Sequence, residues 1–205
     1  MIPDKIFNPG IDVTDHIIPL NFSKLFNNKN PVHLEIGSGD GDFIVELAVN
    51  NPKINFVGIE IKRNRYKKGI RKAQKLNCIN IKLLYMDARI ALEELIYPDS
   101  LYAIYINFPD PWPKDKHTKH RLINKEFVDV LSNRIINNGI LEIASDHKEY
   151  IFNSIDILST SKNFSNQYGE QKYLKEDKRR PSTKFEQEYR NEGREIYYLK
   201  YINHK

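Results

Sequence analysis

An acidic turn held by three prolines stands directly before a basic run in the segment NFPDPWPKDKHTKHRLINK, residues 107–125. The prolines are Pro109, Pro111 and Pro113. Each proline fixes its own φ angle and biases the preceding residue towards extended geometry. We therefore expect Asp110 and Trp112 to be held in a preset orientation at the end of a strand, where a carboxylate can stabilise positive charge. A rigid surface turn with a packed tryptophan would share these residues, so the turn alone does not decide the function.

A glycine loop with carboxylates follows the first predicted strand, in the sequence EIGSGDGD. Its spacing is G-x-G-x-G, and Asp42 stands where the dinucleotide-binding pattern G-x-G-x-x-G has its third glycine. Gly37 and Gly39 allow the backbone to pass close to a ligand. Glu60 ends the second predicted strand about 20 residues further on, where an acidic side chain accepts hydrogen bonds from both ribose hydroxyls. This geometry suits any adenosine-type cofactor.

The charges around this loop distinguish two kinds of cofactor. A pyrophosphate is bound by bare backbone N–H groups at a helix N-terminus, and Glu35, Asp40 and Asp42 would repel it. S-adenosylmethionine has no phosphate and carries a sulfonium and an ammonium, so an acidic loop suits it. Asp87, which ends the third predicted strand, can accept from the adenine amino group. We therefore predict S-adenosylmethionine as the cofactor, although each acid taken singly would more often be a helix cap or a solvated residue.

Alternating strands and amphipathic helices are predicted to position these residues. The predicted strands are 32–36, 54–59, 79–85, 101–106, 140–144 and 196–202, and the predicted helices are 43–48, 62–76, 88–96, 122–136 and 150–158. Gly139 is expected to stop the fourth of these helices. Such alternation implies a mostly parallel sheet covered on both faces, with ligands bound beyond the carboxyl ends of the strands.

Length and composition indicate one compact domain. The 205 residues are 40% hydrophobic and 29% charged, as in ordinary globular domains. We expect an irregular N-terminal arm with a short helix over 1–30 and a single domain over 31–205. The net charge of +5 permits an anionic partner without requiring one. Cys78 is the single cysteine and is assigned no chemistry. With no secretory signal and no apolar run of membrane-spanning length, a cytoplasmic protein is expected.

The chain resembles the bacterial tRNA (guanine-N7-)-methyltransferases from about Pro31 to Tyr201. The markers are LEIGSGDGDF at 34–43, GIEI at 58–61, FPDPWPK at 108–114 and TKFE at 183–186. The resemblance implies an α/β fold, namely a single-domain, Rossmann-like class I methyltransferase with a mostly parallel seven-stranded sheet and helices on both faces. It also implies transfer of a methyl group from S-adenosylmethionine to N7 of guanine in tRNA, at position 46 of the variable loop.

The resemblance further assigns three groups of site residues. The cofactor site is Glu35, Gly37, Gly39, Glu60, Asp87, Ala88 and Asp110, with Asp110 also the catalytic residue. The residues expected to hold the target guanine are Lys114, Asp146, Thr183, Lys184, Phe185 and Glu186. The RNA-contacting residues are Lys116, His117, Thr118, Lys119, His120 and Arg121. Lys116 and His120 depart from the family, in which arginine is common there, so bidentate gripping of phosphate is weakened while positive charge remains.

The chemistry of the target atom limits what Asp110 must do. Guanine N7 is an in-plane lone pair with no proton to lose, so methyl transfer needs alignment more than a general base. Asp110 is expected to stabilise the positive charge that passes to the purine. Asp146 and Glu186 are acceptors for the N1 and N2 hydrogens of guanine. Trp112 could stack on a base, but we favour a packing role.

Other features of the sequence leave alternatives open. The basic helix at 62–75 is interpreted as a solvated face, and the run 172–184 as a segment that is mobile without RNA. His117 and His120 lack further ligands of suitable spacing, so no metal is expected. Either a monomer or a homodimer is compatible with the sequence. The rival functions are a nucleotide-dependent oxidoreductase, a non-catalytic RNA-binding module, and a methyltransferase that acts on an exocyclic amine.

Overall fold

The computed structural model describes residues 7–15, 18–112 and 121–205. The predictions made for Pro113 and Lys114, and for the RNA-contacting residues from Lys116 to His120, lie outside these described residues.

Seven strands and seven α-helices make up the described fold. The strands are β1 Val32–Ile36, β2 Asn55–Glu60, β3 Ile81–Tyr85, β4 Leu101–Asn107, β5 Ile135–Ser145, β6 Phe164–Asn166 and β7 Tyr197–Asn203. The helices are α1 Phe22–Phe26, α2 Asp42–Asn50, α3 Arg63–Lys75, α4 Ala88–Ile90, α5 Lys125–Arg134, α6 Lys148–Ser159 and α7 Lys184–Asn191. A π-helical turn, Ala91–Leu95, continues α4, and short 3-10 turns lie at Val13–Asp15 and Gly169–Gln171.

The strands form one sheet in the order β3-β2-β1-β4-β5-β7-β6. β1 to β5 are parallel, and β7 runs antiparallel between β5 and β6. The mostly parallel seven-stranded α/β sheet predicted from the sequence is confirmed. Because β1 pairs with both β2 and β4, the carboxyl ends of these three strands lie side by side at one edge. The predicted site residues therefore share one rim of the sheet.

The central strands are apolar because both faces of the sheet are covered. Leu34, Val57, Ile104 and Leu141 are fully buried, and every residue of β2 is buried. One face packs against α5 and α6, and the other packs against α2 and α3. α2 and α3 approach closely at Gly41, where a Cβ atom would lie 3.0 Å from the Cα of Gly69.

The predicted boundary between the fourth long helix and the fifth strand is wrong. α5 begins after Asn124, whose side chain accepts from the backbone N–H of Phe127 at 2.9 Å, and it ends at Arg134. Residues 135 and 136, predicted as the helix end, belong to β5, which has a register shift against β4 between its pairings at Ile135 and Ile140. Gly139 therefore does not stop the helix; it lies in this irregular part of the strand.

The N-terminal arm packs against the same core as the rest of the chain. Its backbone pairs with the edge strand β3, since the N–H of Ile11 donates to the carbonyl of Leu83 at 2.9 Å. Leu20 and Phe22 are buried in the main core, and the expected short helix is α1. The division at residue 31 remains a prediction. Among the helices of the described ranges, none combines the length and apolarity needed to span a membrane.

Gly41→Ala tests how far the close approach of α2 and α3 stabilises the fold. Gly41 and Gly193 both have positive φ angles, of 81° and 76°, but only Gly41 has a neighbour within 4 Å of the added Cβ. The unfavourable φ alone is expected to cost about 1–2 kcal/mol in each variant. We expect Gly41→Ala to lose clearly more stability than Gly193→Ala in urea unfolding without ligand. Equal losses would show that the helix crossing tolerates the methyl group.

Candidate active site

A cavity of about 460 Å³ lies beyond the carboxyl ends of β1 to β4. Five predicted cofactor-site residues line it: Gly37, Glu60, Asp87, Ala88 and Asp110. A smaller cavity of about 80 Å³ adjoins it, and Glu35, Gly39 and the start of α7 line that second space. The structure thus brings together all seven residues predicted to hold the cofactor. The larger volume is within the usual range for small-molecule sites.

Glu60 fixes the glycine loop to the end of β2. Its side chain is almost fully buried and accepts from the backbone N–H of Gly39 at 2.8 Å and of Lys62 at 2.6 Å. The amides of Gly37 and Ser38 donate to the carbonyl of Ile59 at 2.8 and 2.9 Å. These loop amides are therefore engaged within the protein. A glycine loop that cradles a pyrophosphate needs such N–H groups free.

Glu35 is a buried carboxylate at the end of β1. Its Oε1 accepts from Nδ2 of Asn107 at 2.8 Å, whereas its Oε2 is buried with no hydrogen bond of ordinary geometry. Burial raises the pKa of Glu35 to about 8, while Asn107, the charge of Arg180 and the backbone amide of Ile44 act in the opposite direction. A buried acceptor without a partner is costly, so this oxygen suits a ligand that donates hydrogen bonds and carries positive charge.

Asp87 combines a helix-capping role with a place on the cavity. Its Oδ1 accepts from the backbone N–H groups of Arg89 at 2.8 Å and of Ile90 at 3.4 Å, which caps α4. The side chain is half-buried and lines the cavity beside Ala88. The cap holds the carboxylate at the rim of the sheet. The two interpretations of Asp87 from the sequence, a helix cap and a residue of the cofactor site, are therefore compatible.

The proline-bearing turn after β4 has a conformation that the sequence rules did not predict. Phe108 and Trp112 precede prolines and were expected to be extended, yet their φ angles are 49° and 43°. These positive φ angles lie two residues either side of Asp110, which is exposed on the cavity wall. For bulky residues this conformation costs about 1–2 kcal/mol each. Phe108 is held by its N–H donating to the carbonyl of Ala144 at 2.8 Å and by a ring contact with Tyr189.

Trp112 lines the larger cavity, and 38% of its surface is exposed. That its indole packs rather than stacks on a base stays a prediction from the sequence.

The TKFE segment forms the start of α7 and faces the glycine loop. Thr183 is the buried N-cap, since its Oγ1 accepts from the N–H of Glu186 at 3.0 Å. The Glu186 carboxylate is also buried and accepts from the hydroxyl of Tyr198 and from Nε of Arg190 at 3.1 Å. Lys184 and Phe185 are exposed beside the smaller cavity. The guanidinium of Arg65 lies 5.0 Å from the centre of the Phe185 ring, which links α3 to α7.

Asp146 follows β5 and lines neither of these two cavities. Its Oδ2 accepts from Nη1 of Arg194 at 2.8 Å. Asp146 and Glu186, both predicted to hold the target guanine, therefore already pair with arginines of the protein. Their contact with guanine stays a prediction.

Three charged residues have partners within the protein that the sequence did not indicate. Asp40 and Asp42, expected to repel a pyrophosphate, pair with Lys68 at 3.0 Å and with Lys72 on α3. Arg121, predicted to contact RNA, is 4% exposed, and its guanidinium donates to the carbonyl of Pro111 at 3.0 Å and to Glu149 at 2.6 Å. Arg121 therefore anchors the proline turn to α6.

The run 172–184 makes contacts with the sheet, and its expected mobility without RNA stays a prediction. Leu174 exchanges backbone hydrogen bonds with Tyr198 at 3.0 and 2.8 Å, and Arg180 reaches the buried end of β4 at Asn107. Neither Asn107 nor Arg180 was assigned to the cofactor site from the sequence. Asn107 carried a signal, because it is a polar residue that ends an apolar strand beside Glu35. Arg180 carried none, since nothing distinguishes it from its basic neighbours.

Arg121→Ala tests the anchoring role of this residue. Leaving the partly buried Pro111 carbonyl without its donor is expected to cost about 1–3 kcal/mol, which lowers the melting temperature by about 2–4 °C per kcal/mol in a chain of this size. Arg71, exposed on α3, provides the matched control as Arg71→Ala, for which no comparable loss is expected. Unchanged stability in Arg121→Ala together with weaker RNA binding would restore the original prediction.

Comparisons with known proteins agree with this geometry. The sequence model of a family described as putative methyltransferase matches residues 29–199. A tRNA (guanine-N(7)-)-methyltransferase of Buchnera aphidicola subsp. Acyrthosiphon pisum (strain 5A) is 34% identical over 189 residues, which are 92% of this chain and 79% of that protein. One of Nitrosomonas eutropha is 37% identical over 169 residues, 82% of this chain and 75% of that protein.

Solved structures share the fold at low sequence identity. The aminoglycoside resistance methyltransferase NpmB1 has a TM-score of 0.62 and 15% identity, with 89% of this chain and 91% of that chain covered. From the family match, the relatives and the fold together, the chain belongs to the tRNA (guanine-N(7)-)-methyltransferase family of class I methyltransferases, with S-adenosylmethionine as methyl donor.

Proposed function

We propose that this protein transfers a methyl group from S-adenosylmethionine to N7 of a guanine in tRNA, at position 46 of the variable loop, in the cytoplasm. Family membership supports the substrate class, and the resemblance implies the position. The observation that carries the proposal is the row of carboxylates along the strand ends, in which Glu35 has a buried oxygen that lacks a hydrogen bond.

The residues around the two cavities fit the methyl donor. An added Cβ at Gly37 would meet nothing within 4 Å, so the space beside the loop is open to a ligand. Glu60 uses one hydrogen bond on each oxygen, which leaves lone pairs for ribose hydroxyls. Glu35 would receive positive charge, and Asp87 with Ala88 would line the adenine side. S-adenosylmethionine supplies an electrophilic methyl group on its sulfonium.

Asp110 acts through its charge and its position. Guanine N7 has no proton to remove, so no general base is required. A carboxylate beside the reacting ring stabilises the positive charge that develops on the purine, and it does so best where water is excluded. Asp110 is exposed in the free protein. The incoming guanine must therefore cover the turn.

The target guanine is held at its donor edge by fixed acceptors. Asp146 is oriented by Arg194, and Glu186 is oriented by Arg190 and Tyr198. A carboxylate has about four acceptor sites, so Asp146 keeps capacity for the N1 or N2 hydrogens of guanine. Glu186 is buried and is assigned to this edge from the sequence resemblance. Lys184 and Phe185, exposed beside the glycine loop, complete this side, and we assign Lys114 to it from the sequence resemblance.

The basic residues 116–120 contact the tRNA backbone in this proposal, which for them rests on the sequence. Exposing a guanine that is stacked in folded tRNA costs a few kcal/mol. Distributed phosphate contacts can offset that cost, and they make binding depend on salt. Arg121 is left out of this group because its side chain is buried.

The rival functions fit these observations less well. A nucleotide-dependent oxidoreductase would need loop amides that are here bonded to Glu60 and Ile59. A non-catalytic RNA-binding module would leave the carboxylate-lined cavity without a role. Transfer to an exocyclic amine is distinguished by the product.

The function is tested by incubating pure protein with unmodified tRNA and S-adenosylmethionine labelled at the methyl group, then mapping the product by mass spectrometry. We expect 7-methylguanine at position 46 and none in a matched tRNA whose guanine 46 is replaced by adenine. Methylation at another atom, or equal labelling of both tRNAs, would contradict the proposal.

Asp110→Ala separates chemistry from RNA binding. Loss of a preorganised electrostatic group is expected to lower kcat about 100-fold or more, while the Kd for tRNA changes little. The comparison variant is Lys116→Ala with Lys119→Ala, which should weaken tRNA binding and reduce the slope of its salt dependence by about 2. Equal loss of tRNA affinity in the two proteins would refute these separate roles.

A further inference from the structure

Arg180 is a buried cation directly behind the cofactor cavity. Its side chain is 7% exposed, and its guanidinium lies between two aromatic rings, 4.9 Å from the centre of Phe43 and 5.2 Å from that of Tyr198. Phe43 lies in the first turn of α2 and Tyr198 belongs to β7, so the guanidinium contacts both a helix and the sheet. Its Nε is buried without a hydrogen bond.

A chain of two hydrogen bonds connects Arg180 to Glu35. Nη2 of Arg180 donates to Oδ1 of Asn107, and Nδ2 of Asn107 donates to Oε1 of Glu35 at 2.8 Å. A guanidinium can only donate, so the Asn107 amide must turn its oxygen towards Arg180 and its nitrogen towards Glu35. The direction of the whole chain is thereby set by the cation.

The charge of Arg180 is only partly balanced by two other acids. Its Nη1 lies 3.9 Å from Glu142, which is already paired with Lys200 at 3.0 Å. Arg180 also helps to lower the pKa of Asp177, which is already paired with Arg179 at 2.8 Å. The other titratable groups that influence Glu35 are Glu60 on β2, which disfavours its ionised form, and Tyr105 on β4, whose own pKa is raised in part by Glu35. Arg180 is thus the cation that supports a negative Glu35.

We propose that Arg180 is a positioning residue that holds the Glu35 carboxylate, through Asn107, in the orientation that receives the positively charged methyl donor. This inference rests on the cofactor site of the proposed function. Thr183 follows Arg180 by three residues, so the same contact ties the guanine-binding segment to the cofactor cavity. Because such coupling is reciprocal, donor binding at Glu35 strengthens the docking of that segment.

A role in general stability does not account for this arrangement. Replacing a buried ionic group by an apolar side chain of similar volume is often neutral or stabilising. A methionine between Phe43 and Tyr198 would satisfy packing without leaving a buried Nε unpaired. The charge is therefore better explained by its effect on Glu35 than by its contribution to folding.

The test compares Arg180→Met with Arg179→Met, which removes the same charge from the neighbouring residue, whose side chain is 64% exposed and pairs with Asp177. The affinity for S-adenosylmethionine is measured by calorimetry without tRNA, over a pH range that brackets a Glu35 pKa of about 8. We expect Arg180→Met to bind the donor several-fold more weakly at neutral pH, because the variant lacks the cation that favours the ionised form of Glu35. Arg179→Met should bind like the wild type.

The pH dependence gives a readout that a structural role would not change. The donor binds the ionised Glu35, so affinity falls as the pH falls through the pKa of this group. Arg180 lowers that pKa, so its loss should move the fall in affinity to higher pH. In cofactor-free protein, the carboxyl carbon of Glu35 observed by NMR should likewise titrate at higher pH in Arg180→Met. Titration of the donor's amino group is common to both proteins and cancels.

A double-mutant cycle completes the test. In a Glu35→Gln background, Arg180→Met should cause no further loss of donor affinity, whereas additive losses would overturn the proposal. Wild-type donor affinity in Arg180→Met at every pH would also overturn it, and weaker tRNA binding in that variant would show an RNA contact instead.

If Arg180→Met does not fold, Arg180→Lys provides the test. We expect Arg180→Lys to keep the wild-type pH dependence with donor affinity reduced several-fold, since an ammonium lacks the guanidinium fork. Wild-type affinity in Arg180→Lys would refute the positioning role. Failure of the wild type to bind the donor would instead refute the proposed function.

Discussion

The constraint on which the site depends is the burial of a carboxylate at the end of β1. Removing Glu35 from water is unfavourable, and the protein compensates only one of its oxygens with a full hydrogen bond, from Asn107. The remaining deficit favours a ligand that brings positive charge. Glu35 and Gly37 line one cavity, and the buried Arg180 is linked to Glu35 through Asn107.

The residues along the same rim determine which charges and which free N–H groups the glycine loop presents to a ligand. Glu60 binds the Gly39 amide, so the loop is rigid and its donors are occupied. Asp40 and Asp42 are balanced by lysines of α3, so they contribute less negative charge at the cavity than the sequence alone indicated. In the proposed function, selectivity for a sulfonium over a phosphate arises from buried and strand-end carboxylates, together with the engagement of the loop amides. The basic face of α3 has a structural role in pairing with the loop.

The first half of the fold was predictable because parallel strands buried on both faces must be apolar, and the turns between them carry glycine or an acid. Prediction failed where one sequence suits two structures. Ile135 and Ile136 continue the apolar pattern of α5 yet form the start of β5. α7 was missed because its buried face is carried by Glu186, whose polarity conceals its place in the interior. The role of Arg180 depends on contacts across the chain, which no local pattern encodes.

Hydrogen bonds to neighbouring residues hold the proline turn in its conformation. Phe108 and Trp112 adopt positive φ angles that proline rules disfavour, so other contacts must offset the strain. The Phe108 amide is held by Ala144, and the Pro111 carbonyl is held by buried Arg121. These anchors are interior, whereas Asp110 between them is exposed. The protein thus holds the backbone of the turn rigid while leaving its carboxylate in water, so that dehydration of this charge must accompany entry of the base. In the proposed function, electrostatic stabilisation by Asp110 becomes strong only when the substrate itself closes the site.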